Sequence, residues 1–253
     1  MNPRALFSAS ACLPGVIFVL AWAPAIKAHE FLIKPAQTQS KSGSPLSFSI
    51  MATHYFMWSE EVEPVDTVQA WLVEGEQITP LKLKENPARK TLDGTATLRR
   101  KGAALLTAHL QEPLATIKGE RSNREQKIKR EKFAKAFIAV GTNDDESDKK
   151  PLGHKLEIVP VVGLSKARAG EELSFRILLD GKPMRGPVYA TYDGFSRRPM
   201  TFAYATESTE NGIAYVKIAH PGLWMVRVEK RLEADGKNFD LLSLKATLVF
   251  SAQ

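Results

Sequence analysis

From residue 154 onward the chain is broken by turn signals so often that no long helix has room. Seven apolar or alternating segments lie at 154–162, 172–179, 187–193, 200–206, 213–219, 223–229 and 242–250. In "ELSFRILL" the apolar residues Leu173, Phe175, Ile177 and Leu179 fall on every second position, the period of a strand with one face buried. Asp180–Gly181, Asp193–Gly194 and Asn211–Gly212 punctuate the run, and such pairs suit tight hairpin turns. Short strands at this density indicate a β-sandwich.

The preceding residues read the same way, less regularly. Strands are expected at 30–35, 46–56, 67–73 and 78–84, with two more in 96–111 around a Lys101–Gly102 turn. The stretch 118–137, "KGERSNREQKIKREKFAKAF", is charged and sparsely apolar; its spacing predicts a short helix with Ile128, Phe133 and Phe137 on one side. "FIAVG" at 137–141 returns to strand, and the polar stretch 142–153 reads as a linker. The expected architecture is therefore all-β, with an N-terminal domain over 29–141, a C-terminal β-sandwich over 154–253 and the charged helix between them.

Residues 1–28 have the order of an export signal: Arg4, the apolar run "GVIFVLAWA", Pro24, then Ala25 and Ala28. The run is too short for a membrane span of about 20 residues, and no later stretch approaches that length, so no membrane insertion is expected. Cleavage after Ala28 would make His29 the new N-terminus and place the protein in the periplasm; cleavage after Ala23 or Ala25 is the competitor. Removal of the leader leaves 225 of the 253 residues and takes away Cys12, the single cysteine. Disulfides, thiolate metal sites and thiol catalysis then drop out. The leader holds Arg4 and Lys27 and no acid, so about +5 of the formal +7 remains. That mild, dispersed charge gives no reason to expect a nucleic-acid partner.

The first two strands flank the turn-rich "QTQSKSGSP" at 37–45. A hairpin with its axis near Lys41–Ser42 pairs positions that sum to about 83, which sets His29 opposite His54. Directly opposed side chains hold their Cβ atoms roughly 4.5–5.5 Å apart, and two imidazoles at that spacing can close on one metal at about 2.0–2.1 Å per bond. A terminal His29 would add its amine to the ring. Such nitrogens suit Ni²⁺, Co²⁺, Cu²⁺ or Zn²⁺ and not Ca²⁺ or Mg²⁺. Glu30, Tyr55, Met57 and Glu60 are nearby candidates for a further contact, and His220, before Pro221–Gly222, is a more distant one. A one-residue slip in register would turn one histidine to the other face. His109 and His154 read as packing or surface residues, Trp71 and Trp224 as core. Glu60–Glu61 and Asp144–Asp145 lie in runs that read as solvated.

Enzyme signatures are missing: there is no G-x-S-x-G, no H-E-x-x-H, no phosphate loop and no G-x-G-x-x-G. A non-enzymatic role is expected. A terminal-histidine copper centre able to activate oxygen is the enzymatic alternative, and a structural or ligand-binding module without metal is the other.

Four stretches carry a resemblance to a family: "AHEFLIKP" after the leader, "THYF" at 53–56, "GHKLEIVPVVGLSKARAGEELSFRILLDGKPMRG" at 153–186 and "NGIAYVKIAHPGLWMVRVEK" at 211–230. In this order they resemble bacterial periplasmic proteins associated with nickel and cobalt uptake. The resemblance implies two β-sandwich-like domains, the second similar to the transthyretin or carboxypeptidase-regulatory type. It implies a part in delivering or sensing Ni²⁺ or Co²⁺, with a membrane metal-uptake transporter as partner, and His29 and His54 as metal residues. Thr53 departs from the pattern, since family members commonly have Gly there.

Overall fold

The computed structural model describes residues 29–118, 124–141 and 147–253. The leader and residues 142–146 of the expected linker lie outside the described residues. In chain order the strands are β1 (Glu30–Pro35), β2 (Gln39–Ser40), β3 (Pro45–Thr53), β4 (Val68–Glu74), β5 (Gln77–Leu81), β6 (Leu83–Asn86), β7 (Thr91–Thr97), β8 (Gly102–Gln111), β9 (Ala115–Lys118) and β10 (Glu125–Val140). After these come β11 (Leu156–Pro160), β12 (Glu172–Leu179), β13 (Lys182–Pro183), β14 (Pro187–Tyr192), β15 (Tyr204–Glu207), β16 (Ile213–Lys217), β17 (Gly222–Glu233) and β18 (Leu241–Ala252). The only helical pieces among the described residues are three short 3₁₀ turns. None is long and apolar enough to cross a membrane.

Three sheets form. The central one runs β15-β14-β17-β18-β10-β8-β4-β5, with β2 and β9 also paired to β10. A second sheet, β1-β3-β7-β6, packs on one face, and a third, β11, β12, β13 and β16, on the other. Alternation along β10 serves both cores. Phe133 and Phe137 point into the core under the third sheet, while Ala134, Ala136 and Ile138 point into the core under the second. β10 and β18 run parallel, from Ile128↔Leu241 to Ala136↔Val249. One sheet therefore joins strands from both halves of the sequence.

The all-β expectation holds, with one correction. The stretch read as a helix is strand: 125–137 lies in β10. Three of its charges are not solvated. Glu131, Lys132 and Lys135 are all buried, and each has an opposite charge or an imidazole within reach. Lys135 Nζ lies 2.9 Å from Glu157 Oε1, Lys132 Nζ 2.6 Å from Glu112 Oε1, and Glu131 Oε2 3.0 Å from His109 Nε2. Charged composition thus disguised a central strand whose buried charges are matched inside the fold.

Turn chemistry behaves as its residues dictate. Asp180 and Gly181 both take positive φ, 48° and 73°, and close the β12–β13 hairpin with Leu179↔Lys182. Gly212 has φ +72°, and a Cβ there would sit 2.6 Å from the Ile177 carbonyl oxygen. That position needs glycine for both backbone conformation and space.

Candidate metal centre

β1 and β3 pair antiparallel from Pro35↔Phe48 to Glu30↔Thr53, so every pair sums to 83, the register that the hairpin argument requires. Between them β2 leaves to pair with β10, yet the register is kept. One step beyond Glu30↔Thr53, the rings of His29 and His54 meet with centroids 4.1 Å apart and planes tilted by 48°.

The chain after Thr53 folds back on itself. The buried Thr53 hydroxyl accepts the Tyr55 N–H at 2.8 Å and lies against the Tyr55 and Trp58 carbonyl oxygens, to one of which it donates. Trp58 N–H donates to the Tyr55 carbonyl at 3.0 Å, and Met57 takes φ 69°. Ser59 Oγ accepts the Ala52 N–H at 3.3 Å, Glu60 N–H donates to the Ala52 carbonyl at 2.9 Å, and Ala52 and Glu61 form an isolated bridge. This return brings two carboxylates to the histidines. Glu60 Oε2 lies 3.0 Å from His54 Nδ1, accepts the His54 backbone N–H, and lies 4.0 Å from His29 Nε2. Glu61 Oε1 lies 2.8 Å from His29 Nδ1.

His29, His54 and Glu60 offer one ligand atom each within 4.8 Å of one another, the one such group of three among the described residues. Two imidazoles with one or two carboxylates form a mixed N/O donor set that fits a borderline divalent transition metal. The side chains are 13%, 27% and 28% exposed, partly shielded but reachable. Burial draws the His29 ring below the ordinary histidine value; Glu61 and Glu60 oppose this, while His54 and Lys132 reinforce it. A neutral ring offers the lone pair that a metal requires.

The other sequence candidates separate. Glu30 is buried away from the histidines, 2.8 Å from Arg227 Nε and 3.1 Å from Lys245 Nζ. Tyr55 and Met57 belong to the turn. His220 stacks on Tyr192 at 4.8 Å and is not part of the cluster. His109 and His154 sandwich Phe133, at 4.5 and 5.2 Å. Glu61 is the residue that sequence reasoning set aside as solvated; no local signal marks it, because only the return of the 54–61 loop brings it to His29.

These features define an all-β, sandwich-type protein with a histidine–carboxylate cluster at the head of a hairpin. The chain belongs to the family described as Domain of unknown function (DUF4198), matched over residues 26–231. No curated protein matches it. Among solved structures it is similar to the D0-D1 domain of intimin, at 13% identity over 87% of this chain and 97% of that one, with a TM-score of 0.25. The adhesin InvE of Yersinia pseudotuberculosis is 12% identical over 87% of this chain and 58% of its own, TM-score 0.25. The alpha-2-macroglobulin of Salmonella reacted with methylamine is 10% identical over 91% of this chain and 15% of its own, TM-score 0.29. None of these scores bears on function.

Proposed function

We propose that this is an exported, periplasmic divalent-metal-binding accessory protein that chelates Ni²⁺ or Co²⁺ and passes it to a membrane uptake system, without catalytic turnover. The observation that carries the reading is the approach of His29 and His54 to 4.1 Å between centroids, with Glu60 beside both. His29 and His54 supply imidazole nitrogens and Glu60 a carboxylate oxygen, with Glu61 beside His29. Cleavage after Ala28 adds the His29 amine. The order of sequence motifs that resembles nickel- and cobalt-uptake proteins supports the choice of metal. Few protein ligands and partial exposure favour exchange over structural locking, which suits a carrier.

The same histidines with a terminal amine also suit Cu²⁺, which binds such donors more tightly in the general affinity order. The test uses mature protein beginning at His29, without an N-terminal tag. Calorimetric titration with Ni²⁺, Co²⁺, Cu²⁺ and Zn²⁺ is set beside His54→Ala and a variant with one extra residue before His29. One-to-one binding lost in His54→Ala and weakened by the extra residue is the expected result. Binding that survives both changes moves the site elsewhere, and absence of binding in the parent protein rejects the reading. Copper preference with peroxide consumption favours the copper enzyme instead.

A further inference from the structure

Three turns meet at the head of the β1–β3 hairpin. The 55–58 turn carries Trp58 outward, 72% exposed. The turn at 193–197 lies across a cavity of about 530 Å³ from it, and just beyond that turn Met200 donates its N–H to the His54 carbonyl at 3.0 Å. This second segment exposes Phe195, 39%, and Met200, 40%. The β6–β7 turn comes in third, where the Ser59 hydroxyl donates to the Lys90 carbonyl. Of the four non-glycine residues with positive φ among the described residues, three lie here: Met57 at 69°, Lys90 at 56° and Met200 at 51°. Such side chains take that conformation at a cost, and residues held in it cluster at functional sites.

Large apolar side chains exposed together mark a contact surface, and the charges around them narrow the partner. Lys90, Arg197 and Arg198 are exposed on this rim and enter no ion pair among the described residues. Against them stand Asp193, which lines the cavity with Arg197, and Glu60 and Glu61, which face the histidines. With neutral imidazoles, three cations and three carboxylates balance. A divalent ion at His29, His54 and Glu60 leaves the rim with two positive charges in excess. Glu60 is two residues from Trp58, a span of at most about 7 Å, so this change falls within the ~10 Å reach of charge in salt.

We propose that this rim docks on an anionic bilayer surface, without crossing it, and docks more tightly when the histidines hold metal. The coupling to metal rests on the metal reading above; the docking does not. Tryptophan settles at the interface between water and hydrocarbon, and exposed cations beside it reach lipid phosphates. A stable protein interface covers about 800 Å² on each partner, more than half of it apolar, whereas the exposed parts of Trp58, Phe195 and Met200 come to roughly 300 Å². Docking sets the metal residues against the membrane, where a carrier releases its cargo to an uptake system.

The experiment uses mature protein beginning at His29, with vesicles of equal parts phosphatidylglycerol and phosphatidylcholine and vesicles of phosphatidylcholine alone. Vesicle binding is read by co-sedimentation and by tryptophan emission, with and without saturating Ni²⁺, whose own binding is followed by calorimetry. The variants are Trp58→Ala, Arg197→Gln with Arg198→Gln, and His54→Ala, each checked for an unchanged melting profile. The nickel-loaded parent is expected to bind the anionic vesicles at least tenfold more tightly than the neutral ones, with a blue shift that Trp58→Ala abolishes. The double arginine variant should lose at least tenfold in vesicle affinity, as two cations near an anionic surface supply, and keep its nickel affinity. Nickel should tighten vesicle binding about tenfold in the parent, a gain that His54→Ala removes. No vesicle binding by the nickel-loaded parent, equal binding to both vesicles, or binding indifferent to Trp58 and the arginines overturns the docking. Dimerisation in sedimentation velocity that Trp58→Ala abolishes assigns the patch to a second copy of the chain instead. Nickel that binds by calorimetry and leaves vesicle affinity unchanged overturns the coupling alone. Absence of nickel binding overturns the metal reading and the coupling together, and the docking then stands or falls on the nickel-free arms and their variants.

Discussion

Glu30 and Thr53 are register partners at the end of the β1–β3 ladder, and that pairing sets His29 against His54. Thr53 also closes the loop that returns Glu60 and Glu61. Its side chain is 1% exposed and its hydroxyl accepts the Tyr55 N–H. Thr53→Val keeps the shape and removes the acceptor. A buried polar group left unsatisfied costs about 1–3 kcal/mol, so urea titration should show a loss in that range. Metal affinity measured by calorimetry should fall about tenfold as the carboxylates lose their position, a change of about 1.4 kcal/mol. Unchanged affinity would show that the loop is held by other contacts.

The two carboxylates should differ in weight. Glu60 Oε2 faces both rings, at 3.0 and 4.0 Å, while Glu61 touches His29. Glu60→Gln keeps an oxygen for the His54 N–H and removes the charge, and should weaken metal binding about 100-fold. Glu61→Gln acts on ring orientation and should weaken it about tenfold, both within the range seen around metal ligands. Parallel calorimetric titrations decide the order; a larger effect at Glu61 would exchange the two roles.

The hairpin was legible because its evidence is local: β-rich segments, a turn between them and a fixed side-chain period place His29 opposite His54 whatever happens elsewhere. Glu60 entered only as a neighbour in sequence, and Glu61 not at all, since their approach depends on the Thr53 and Ser59 hydroxyls and on Ala52, contacts that no period encodes. β10 was misread for a related reason. Its Lys132 and Lys135 look solvated in sequence, and their counter-charges come from Glu112 and Glu157, outside the strand itself.

Acid should weaken the fold through His154. Burial drives its ring down to about 4, with Lys135 pushing the same way and Glu157 opposing; its Nε2 lies 3.1 Å from Thr107 Oγ1. The unfolded ring titrates near 6.5. Between these values the unfolded chain binds the extra proton, so stability is full above about pH 6.5 and falls as pH drops toward 4. From pH 7 to 5 the loss from this group is about 2 kcal/mol. His109, also lowered by burial against the pull of Glu131, adds in the same direction. Urea titrations at the two pH values should show a drop in the parent that is clearly smaller in His154→Gln.

The last prediction concerns Lys135 and Glu157, which are 2% and 1% exposed and 2.9 Å apart. Glu157 also accepts the Leu152 N–H at 2.7 Å and the Gly153 N–H at 3.1 Å. Burial pushes its carboxyl up, but the Lys135 ammonium and the Leu152 N–H outweigh this and hold it below the ordinary value. Removing one member leaves the other charge buried, at a cost of about 3–5 kcal/mol. Lys135→Met and Glu157→Gln should each show that loss by urea titration. In the double variant no charge is stranded, and the glutamine oxygen still accepts a backbone N–H. Its loss should fall short of the sum of the singles by about 2 kcal/mol or more. A purely additive cycle would mean that each charge is stabilised by other groups, and that β10 tolerates its lysine without this partner.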